Sequence, residues 1–332
     1  MSDAVSQPSS FAPLASRLTL HAPFFIVGPT AVGKTAVALA LAGRLDAEIV
    51  SADSMQVYRG MDIGTAKPLP AERAAVPHHL LDVVEVGERF DVARYVALAR
   101  AAIAGIQQRG RTPLVVGGSG LYLRALTEGL SDAPDADPAL RAELEAMGRE
   151  RVLDELCRVD PEAANRIGPH NFRRIVRALE ICRLTGRKSS ELRREWTAAS
   201  GRDGDADPRP LMHGLERDRA DLYARCDARV EAMFRAGLVD EVRSLLPRGL
   251  ADNSTARQAL GYKEVIAHLH GEATLEATVA LVKTRTRQFA KRQLTWFRHQ
   301  ARVEWIHAAP GEDATVVTDR LANRLQNEVR LS

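Results

Sequence analysis

The chain of 332 residues contains only three cysteines, Cys157, Cys182 and Cys226, with no C-x-x-C pair among them. Isolated and odd in number, they argue against a disulfide framework and a zinc site, and they suit a reducing cytoplasm. No apolar run approaches the ~18 residues of a transmembrane helix, so no membrane partner is expected. The first 22 residues are rich in Ser, Ala and Pro and lack the apolar centre and cleavage pattern of a secretory signal. Charge of one sign is scarce too: 46 Lys and Arg against 43 Asp and Glu leave a net +3. A polyanion would therefore have to be gripped by local clusters, because the overall field is weak. No internal repeat is found.

What is present starts with a loop. Residues Gly28-Pro29-Thr30-Ala31-Val32-Gly33-Lys34-Thr35 form a complete G-x-x-x-x-G-K-S/T pattern. A strand-like run, Phe24-Phe25-Ile26-Val27, precedes it, and the strong helix former Ala36-Val37-Ala38-Leu39-Ala40-Leu41-Ala42 follows. In that setting the glycines bend the backbone so that successive N–H groups and a helix N-terminus converge on an anion. Lys34 then reaches the terminal phosphate and the Thr35 hydroxyl ligates Mg²⁺. The loop specifies a polyphosphate, with ATP as the default occupant, but not what is done with it.

The chain is long enough for two domains. Candidate strands at 23–27, 47–52, 79–84, 113–117, 211–215 and 302–306 alternate with helical patterns at 34–45, 91–109, 119–128, 219–236, 237–246 and 274–299. Several strands are continuous apolar runs, as a parallel sheet covered on both faces requires. The fold class expected is α/β, a P-loop-type doubly wound parallel sheet with helices on both faces. Two Pro-broken acidic stretches, 131–138 and 198–210, read as hinges. Between them the pattern is wholly helical (139–147, 149–159, 171–185), giving an inserted all-helical domain. The expected organisation is a flexible extension over 1–22, a core over 23–130 and 205–332, and a helical insertion over 131–204.

In a doubly wound sheet, ligand groups gather at the carboxyl ends of the strands. Asp53, at the end of the second strand, is either a carboxylate facing the bound phosphates or a helix cap or turn residue. The strand 113–116 ends in Gly117-Gly118-Ser119-Gly120, where a phosphate-hydrolysing enzyme would carry an acid for the magnesium shell. The glycines permit close approach of a ligand, or make a tight turn. Residues 166–194 hold nine Arg or Lys against two Glu, with Arg173, Arg174 and Arg177 able to share one helical surface. A second basic stretch comprises Lys283, Arg285, Arg287, Lys291, Arg292 and Arg298, interleaved with Phe289, Trp296 and Phe297. Each is a solvated face or a nucleic-acid footprint. His78 and His79 are adjacent in a strand and point to opposite faces, so they cannot chelate one ion; a structural or substrate-positioning role is expected.

With these residues together, the chain resembles the tRNA dimethylallyltransferases, also called tRNA isopentenyltransferases. The resemblance rests on the loop at 28–35 and on the long segment Ser51-Ala52-Asp53-Ser54-Met55-Gln56-Val57-Tyr58-Arg59-Gly60-Met61-Asp62-Ile63-Gly64-Thr65-Ala66-Lys67-Pro68. It rests also on His78-His79-Leu80-Leu81-Asp82, Gly117-Gly118-Ser119-Gly120-Leu121-Tyr122 and Arg174-Ile175-Val176-Arg177-Ala178-Leu179-Glu180. Gly261-Tyr262-Lys263-Glu264 and Ala290-Lys291-Arg292-Gln293-Leu294-Thr295-Trp296-Phe297-Arg298 complete it, in family order from about 24 to 300.

The resemblance implies transfer of a dimethylallyl group from dimethylallyl diphosphate to N6 of the adenosine directly 3′ of the anticodon in tRNA. It implies Mg²⁺ as cofactor, Asp53 as general base, and diphosphate binding by Gly28, Pro29, Thr30, Ala31, Val32, Gly33, Lys34 and Thr35. It further implies contacts to the tRNA anticodon loop from Asp53, Ser54, Met55, Gln56, Ser119, Arg141, Arg173, Arg174, Ile175, Val176 and Arg177. Ser119 stands where the family usually has Thr, and Phe172 and Arg173 replace residues that are more commonly polar there. No Cys/His finger follows the matched segments, so a bacterial-type enzyme is expected, with nothing that demands more than a monomer and no obligate protein partner. Three rival readings remain: a P-loop small-molecule kinase, an adenylate isopentenyltransferase acting on free AMP or ADP, and a non-catalytic tRNA-binding protein. The glycine-ended strand weighs against the first, and the basic insertion against the second.

Overall fold

The computed structural model describes residues 22–130, 132–199 and 209–331. The extension expected over 1–22 falls almost wholly outside the described residues, as does most of the hinge over 198–210. In chain order the elements are β1 (Phe24–Val27), α1 (Lys34–Leu45), β2 (Ala47–Ala52), α2 (Pro70–Ala75), β3 (His78–His79), α3 (Val92–Gln108), β4 (Thr112–Gly117) and α4 (Gly120–Glu128). They continue with α5 (Pro138–Met147), α6 (Arg149–Val159), α7 (Pro161–Ile167), α8 (Phe172–Thr185) and α9 (Ser189–Ala199). The last group is β5 (Met212–Glu216), α10 (Arg219–Arg235), α11 (Leu238–Leu245), α12 (Tyr262–Leu269), α13 (Leu275–Gln300), β6 (Val303–His307) and α14 (Ala314–Leu331).

Among the described residues the strands form one six-stranded sheet in the order β3-β2-β4-β1-β5-β6, every pairing parallel. Alternation along the central strand explains why both faces are covered. Phe24 and Ile26 enter a core with Val37 and Leu41 of α1 and Leu321 of α14. Phe25 and Val27 enter a second core with Tyr95 of α3, Leu238 of α11 and Tyr262 of α12. Each such buried side chain contributes roughly 1.5–3 kcal/mol, which is why β1 has no polar position. The register is what builds the site. Val27 pairs with Gly117, and Ala52 also pairs with Gly117, so β1, β4 and β2 end level. The residues that follow (Gly28, Gly118 and Asp53) therefore leave the sheet side by side.

The strand expected over 79–84 shrinks to His78–His79. Leu80 and Asp82 adopt left-handed φ values of 64° and 54°, which end the extended chain. Asp82 then accepts Lys67 Nζ at 2.5 Å and Arg73 Nη1 at 2.6 Å, tying the turn to the preceding segment.

The chain divides into two compact units, one of residues 1–126 and 210–332, the other Thr127–Arg209. The second unit, within its described residues, is helices α5 to α9. Its core is Leu144, Val152, Leu156, Ala163, Ile175, Val176 and Leu179. Two buried acids organise it. Asp160 caps α7 through the Ala163 amide at 3.0 Å and holds α9 through the Ser190 amide at 2.8 Å and the Ser189 and Ser190 hydroxyls. Glu180 accepts a two-pronged bond from Arg141 at 2.9 Å on each prong, plus Arg177 at 2.5 Å and the Asp137 amide at 2.8 Å. Burial alone would raise these carboxyls, yet their hydrogen-bond donors hold both below their ordinary values.

Candidate active site

The loop Gly28–Thr35 is held from its carbonyl side. Arg217 Nε donates to Val32 O at 2.9 Å, Arg225 Nε to Ala31 O at 2.9 Å, and Arg229 Nη1 to Thr30 Oγ1 at 3.2 Å. With the Ala31 and Val32 carbonyls turned to Arg225 and Arg217, the loop amides other than that of Thr30, which bonds Gln293, are left to face an anion. Two conformations make this possible: Gly33 caps α1 at φ 111°, and Gly28 sits at φ 145° with no room for a Cβ beside Leu215 O. Lys34 Nζ donates to Gly28 O at 3.0 Å and Pro29 O at 2.7 Å. Burial, and then the Arg229 guanidinium, push its ammonium down to about 7 against the pull of Asp53. A bound anion would supply the negative charge that restores the protonated form.

Asp53 follows β2 and is half-buried in the same open cleft. Its Oδ1 accepts the Met55 amide at 2.8 Å, an Asx turn. The turn reading holds, and the same side chain also lines the cleft beside the loop. Burial raises its carboxyl above the ordinary value; the Met55 amide and Lys34 oppose that shift. Gln56 lies beside it, with Oε1 accepting the Ser51 hydroxyl at 3.0 Å and Nε2 donating to Thr65 O at 3.2 Å.

Of the residues expected to bind, Thr30, Ala31, Gly33, Lys34, Thr35, Asp53 and Gln56 line this cleft. Gly28, Pro29 and Val32 are buried and build the loop from behind. Ser54 and Met55 do not line the cleft: the Ser54 amide donates to Ser119 Oγ at 3.0 Å, and Met55 packs against the core. Ser119 also donates its amide to Ala52 O at 3.2 Å, so it pins the turn that carries Asp53.

The glycines ending β4 prove to serve the protein's own packing. A Cβ on Gly117 would lie 2.2 Å from Ala52 O, on Gly118 2.3 Å from Gln293 Nε2, and on Gly120 2.4 Å from the Trp296 ring. Close approach is what these positions require, of neighbouring chain as much as of any ligand.

Magnesium would have to bring most of its own ligands. Among the described residues no group of three or more His, Cys, Asp or Glu converges on one point. The cleft offers the Thr35 hydroxyl and the Asp53 carboxylate. That sparse, hard-oxygen set fits Mg²⁺, which keeps several waters and takes other ligands from substrate phosphates.

In the helical unit, Ile175 and Val176 are enclosed in the core, so their side chains hold α8 in place and do not reach a polyanion. Arg173 and Arg174 are exposed on that helix, whereas Arg141 and Arg177 are committed to Glu180. The second basic stretch, left open as a solvated face or a nucleic-acid footprint, is largely taken up by ion pairs. Lys283 pairs with Glu231, Arg285 with Glu264, Arg287 with Asp227 and Arg298 with Glu216, so most of its charge docks α13 against its neighbours. The two histidines separate as the strand geometry requires: His78 lines the cleft and His79 bonds Glu48 at 2.6 Å.

Four residues at the site escaped the sequence reading: Arg217, Arg225, Arg229 and Gln293. Arg225 and Arg229 lie one turn apart on α10, a spacing visible in the sequence once the loop they face is known, and Arg217 precedes that helix. Gln293 carries no such signal. Its side chain joins Thr30 to Gly118 across distant parts of the chain.

Comparison with known proteins agrees with this geometry. The family described as IPP transferase matches residues 56–300, and that described as isopentenyl transferase matches 22–88. A tRNA dimethylallyltransferase of Anaeromyxobacter dehalogenans is 51% identical over 300 residues, covering 89% of this chain and 95% of its own. The solved structure of a tRNA isopentenylpyrophosphate transferase from Bacillus halodurans is 41% identical, covers 94% of this chain and 99% of its own, and superposes with a TM-score of 0.67. A eukaryotic dimethylallyltransferase solved while acting on tRNA is 28% identical, covers 92% of this chain and 78% of its own, and gives a TM-score of 0.74. The chain belongs to the tRNA dimethylallyltransferase family.

Proposed function

We propose that the protein transfers a dimethylallyl group from dimethylallyl diphosphate to N6 of the adenosine directly 3′ of the anticodon in tRNA. The observation that carries this reading is a half-buried carboxylate, Asp53, in one cleft with a phosphate loop. The adenine amine is a poor nucleophile because its lone pair is delocalised into the ring. Its nitrogen attacks the allylic carbon, the carbon–oxygen bond breaks, and the electron pair leaves on diphosphate. Asp53 orients the amine and accepts its proton. The loop amides, Lys34 and Arg229 stabilise the charge that grows on the leaving group. Thr35 would hold Mg²⁺, which when bound neutralises further diphosphate charge. A base within a folded anticodon loop is out of reach, so the adenosine must be splayed out into the cleft. Arg173 and Arg174 supply cations for the tRNA backbone.

The reading includes a cytoplasmic enzyme working as a monomer without an obligate protein partner; the tRNA substrate and three unpaired cysteines support the compartment. No helix among the described residues is long and apolar enough to cross a membrane. The test is competition for labelled dimethylallyl diphosphate between unmodified tRNA and AMP. Label in tRNA supports the reading; preference for AMP makes the protein an adenylate prenyltransferase instead.

A further inference from the structure

Part of the segment 51–68 is fixed by a side chain far from it in sequence. Glu241 stands in the first turn of α11, after the left-handed cap Gly237. Its Oε2 accepts the amides of Asp62 at 3.0 Å and Ile63 at 2.7 Å. Its Oε1 accepts the Gly64 amide at 3.2 Å and the Tyr262 hydroxyl at 2.5 Å. Three successive backbone N–H groups form a nest for an anion, and here a carboxylate of the protein fills it. Tyr262 is wholly buried and closes the arrangement: a Cβ on Gly64 would lie 2.4 Å from its ring.

The consequence reaches the cleft. The turn gripped by Glu241 continues through Thr65, whose hydroxyl donates to Met61 O at 2.5 Å, and through Ala66 at a left-handed φ of 49°. In that conformation the Thr65 and Ala66 carbonyls both receive Gln56 Nε2, at 3.2 and 3.4 Å. Those two acceptors decide which edge of the Gln56 amide is the donor and leave Oε1 for Ser51. Ser51, Gln56, Thr65 and Ala66 line the cleft together with Asp53.

We infer that Glu241 is a positioning residue for the target-base side of the site, acting through the 62–66 turn on Gln56, with Tyr262 holding its carboxylate in place. This rests on the proposed reading that the adenosine is received beside Asp53 and Gln56. It separates the two ends of the cleft: the phosphate loop is held by arginines and Gln293, and the base side by Glu241.

The test uses full-length Glu241→Ala, Glu241→Gln and Tyr262→Phe, prenylation of unmodified tRNA with each substrate varied in turn, and amide exchange of peptides covering 28–35 and 61–68. In Glu241→Ala, kcat/KM for tRNA should fall about 10- to 100-fold while KM for dimethylallyl diphosphate stays within about twofold, the scale expected of slight misplacement. Exchange should rise over 61–68 and not over 28–35. Glu241→Gln keeps one acceptor oxygen and Tyr262→Phe keeps the ring, so both should show smaller losses of the same kind; they carry the test if Glu241→Ala does not fold. A comparable rise in KM for dimethylallyl diphosphate, or unchanged kcat/KM for tRNA despite faster exchange over 61–68, overturns the inference. A wild-type protein that prenylates no RNA overturns the functional reading itself, and the exchange pattern then decides alone whether Glu241 fixes the turn.

Discussion

The side-chain carbonyl of Gln293 accepts the Thr30 amide at 2.8 Å, so a residue of α13 occupies one of the amides of the phosphate loop. Its own amide donates to Gly118 O at 2.9 Å, which closes a ring joining the ends of β1 and β4 to α13. Gln293→Leu leaves the Thr30 N–H and the Gly118 C=O without partners, a cost of about 1–3 kcal/mol each where they stay dry. The expected result is a raised KM for dimethylallyl diphosphate and a lowered melting temperature, with KM for tRNA little changed. Steady-state kinetics with each substrate varied, together with a thermal melt, checks it.

Asp53→Asn keeps the size of the side chain and the acceptor for the Met55 amide but removes the base. The rate should fall roughly 10²–10⁴-fold, the usual span for a general base, while tRNA binding remains. Single-turnover rates and filter binding measured on the same preparation separate the two. An unchanged rate would mean that Asp53 is not the base that takes the proton.

These two residues mark how far the sequence reaches. Asp53 is legible because a pattern match places it: an apolar run ends, an acid follows, and a parallel sheet collects such residues at one edge. Strands β1, β2 and β4 follow from the same logic of buried apolar runs, whereas their level ends depend on a pairing register that no single run shows. Gln293 is not legible, because its role depends on a helix folding back across the sheet from more than 170 residues beyond Gly118. The basic stretch 283–298 shows the converse. Its cations look like a nucleic-acid face in the sequence, yet their acids lie on β5, α10 and α12, and no local pattern shows the pairing. Ile175 and Val176 sit in a matching motif between two arginines, but the helical period turns them inward.

In the helical unit, Arg174 and Arg177 should behave differently despite their spacing. Arg174 is exposed, so Arg174→Ala should weaken tRNA binding and lower the slope of log K against log salt by roughly one, without loss of stability. Arg177 bonds both Glu180 and Pro134 O, so Arg177→Ala should lower stability as well. Binding titrations at several salt concentrations, with thermal melts of each variant, check the contrast.

Acid should loosen this unit. The Asp160 and Glu180 carboxyls titrate below their ordinary values in the folded chain. Their contribution is therefore complete above the unfolded carboxylate range near roughly pH 4 and is lost as pH falls through the lower folded values. Glu180→Gln weakens the bonds to Arg141 and Arg177 and should cost about 1–3 kcal/mol at neutral pH. It should also flatten the dependence of stability on pH below about 4, and denaturant melts of wild type and variant across that range measure both effects.

The central claim is tested most directly by mass spectrometry of unmodified tRNA after incubation with the protein, dimethylallyl diphosphate and Mg²⁺. The expected product is tRNA with one dimethylallyl group replacing a hydrogen on N6 of the adenosine directly 3′ of the anticodon, with diphosphate released in equal amount. Unaltered tRNA, or a phosphate passed from ATP to some other acceptor, would contradict it.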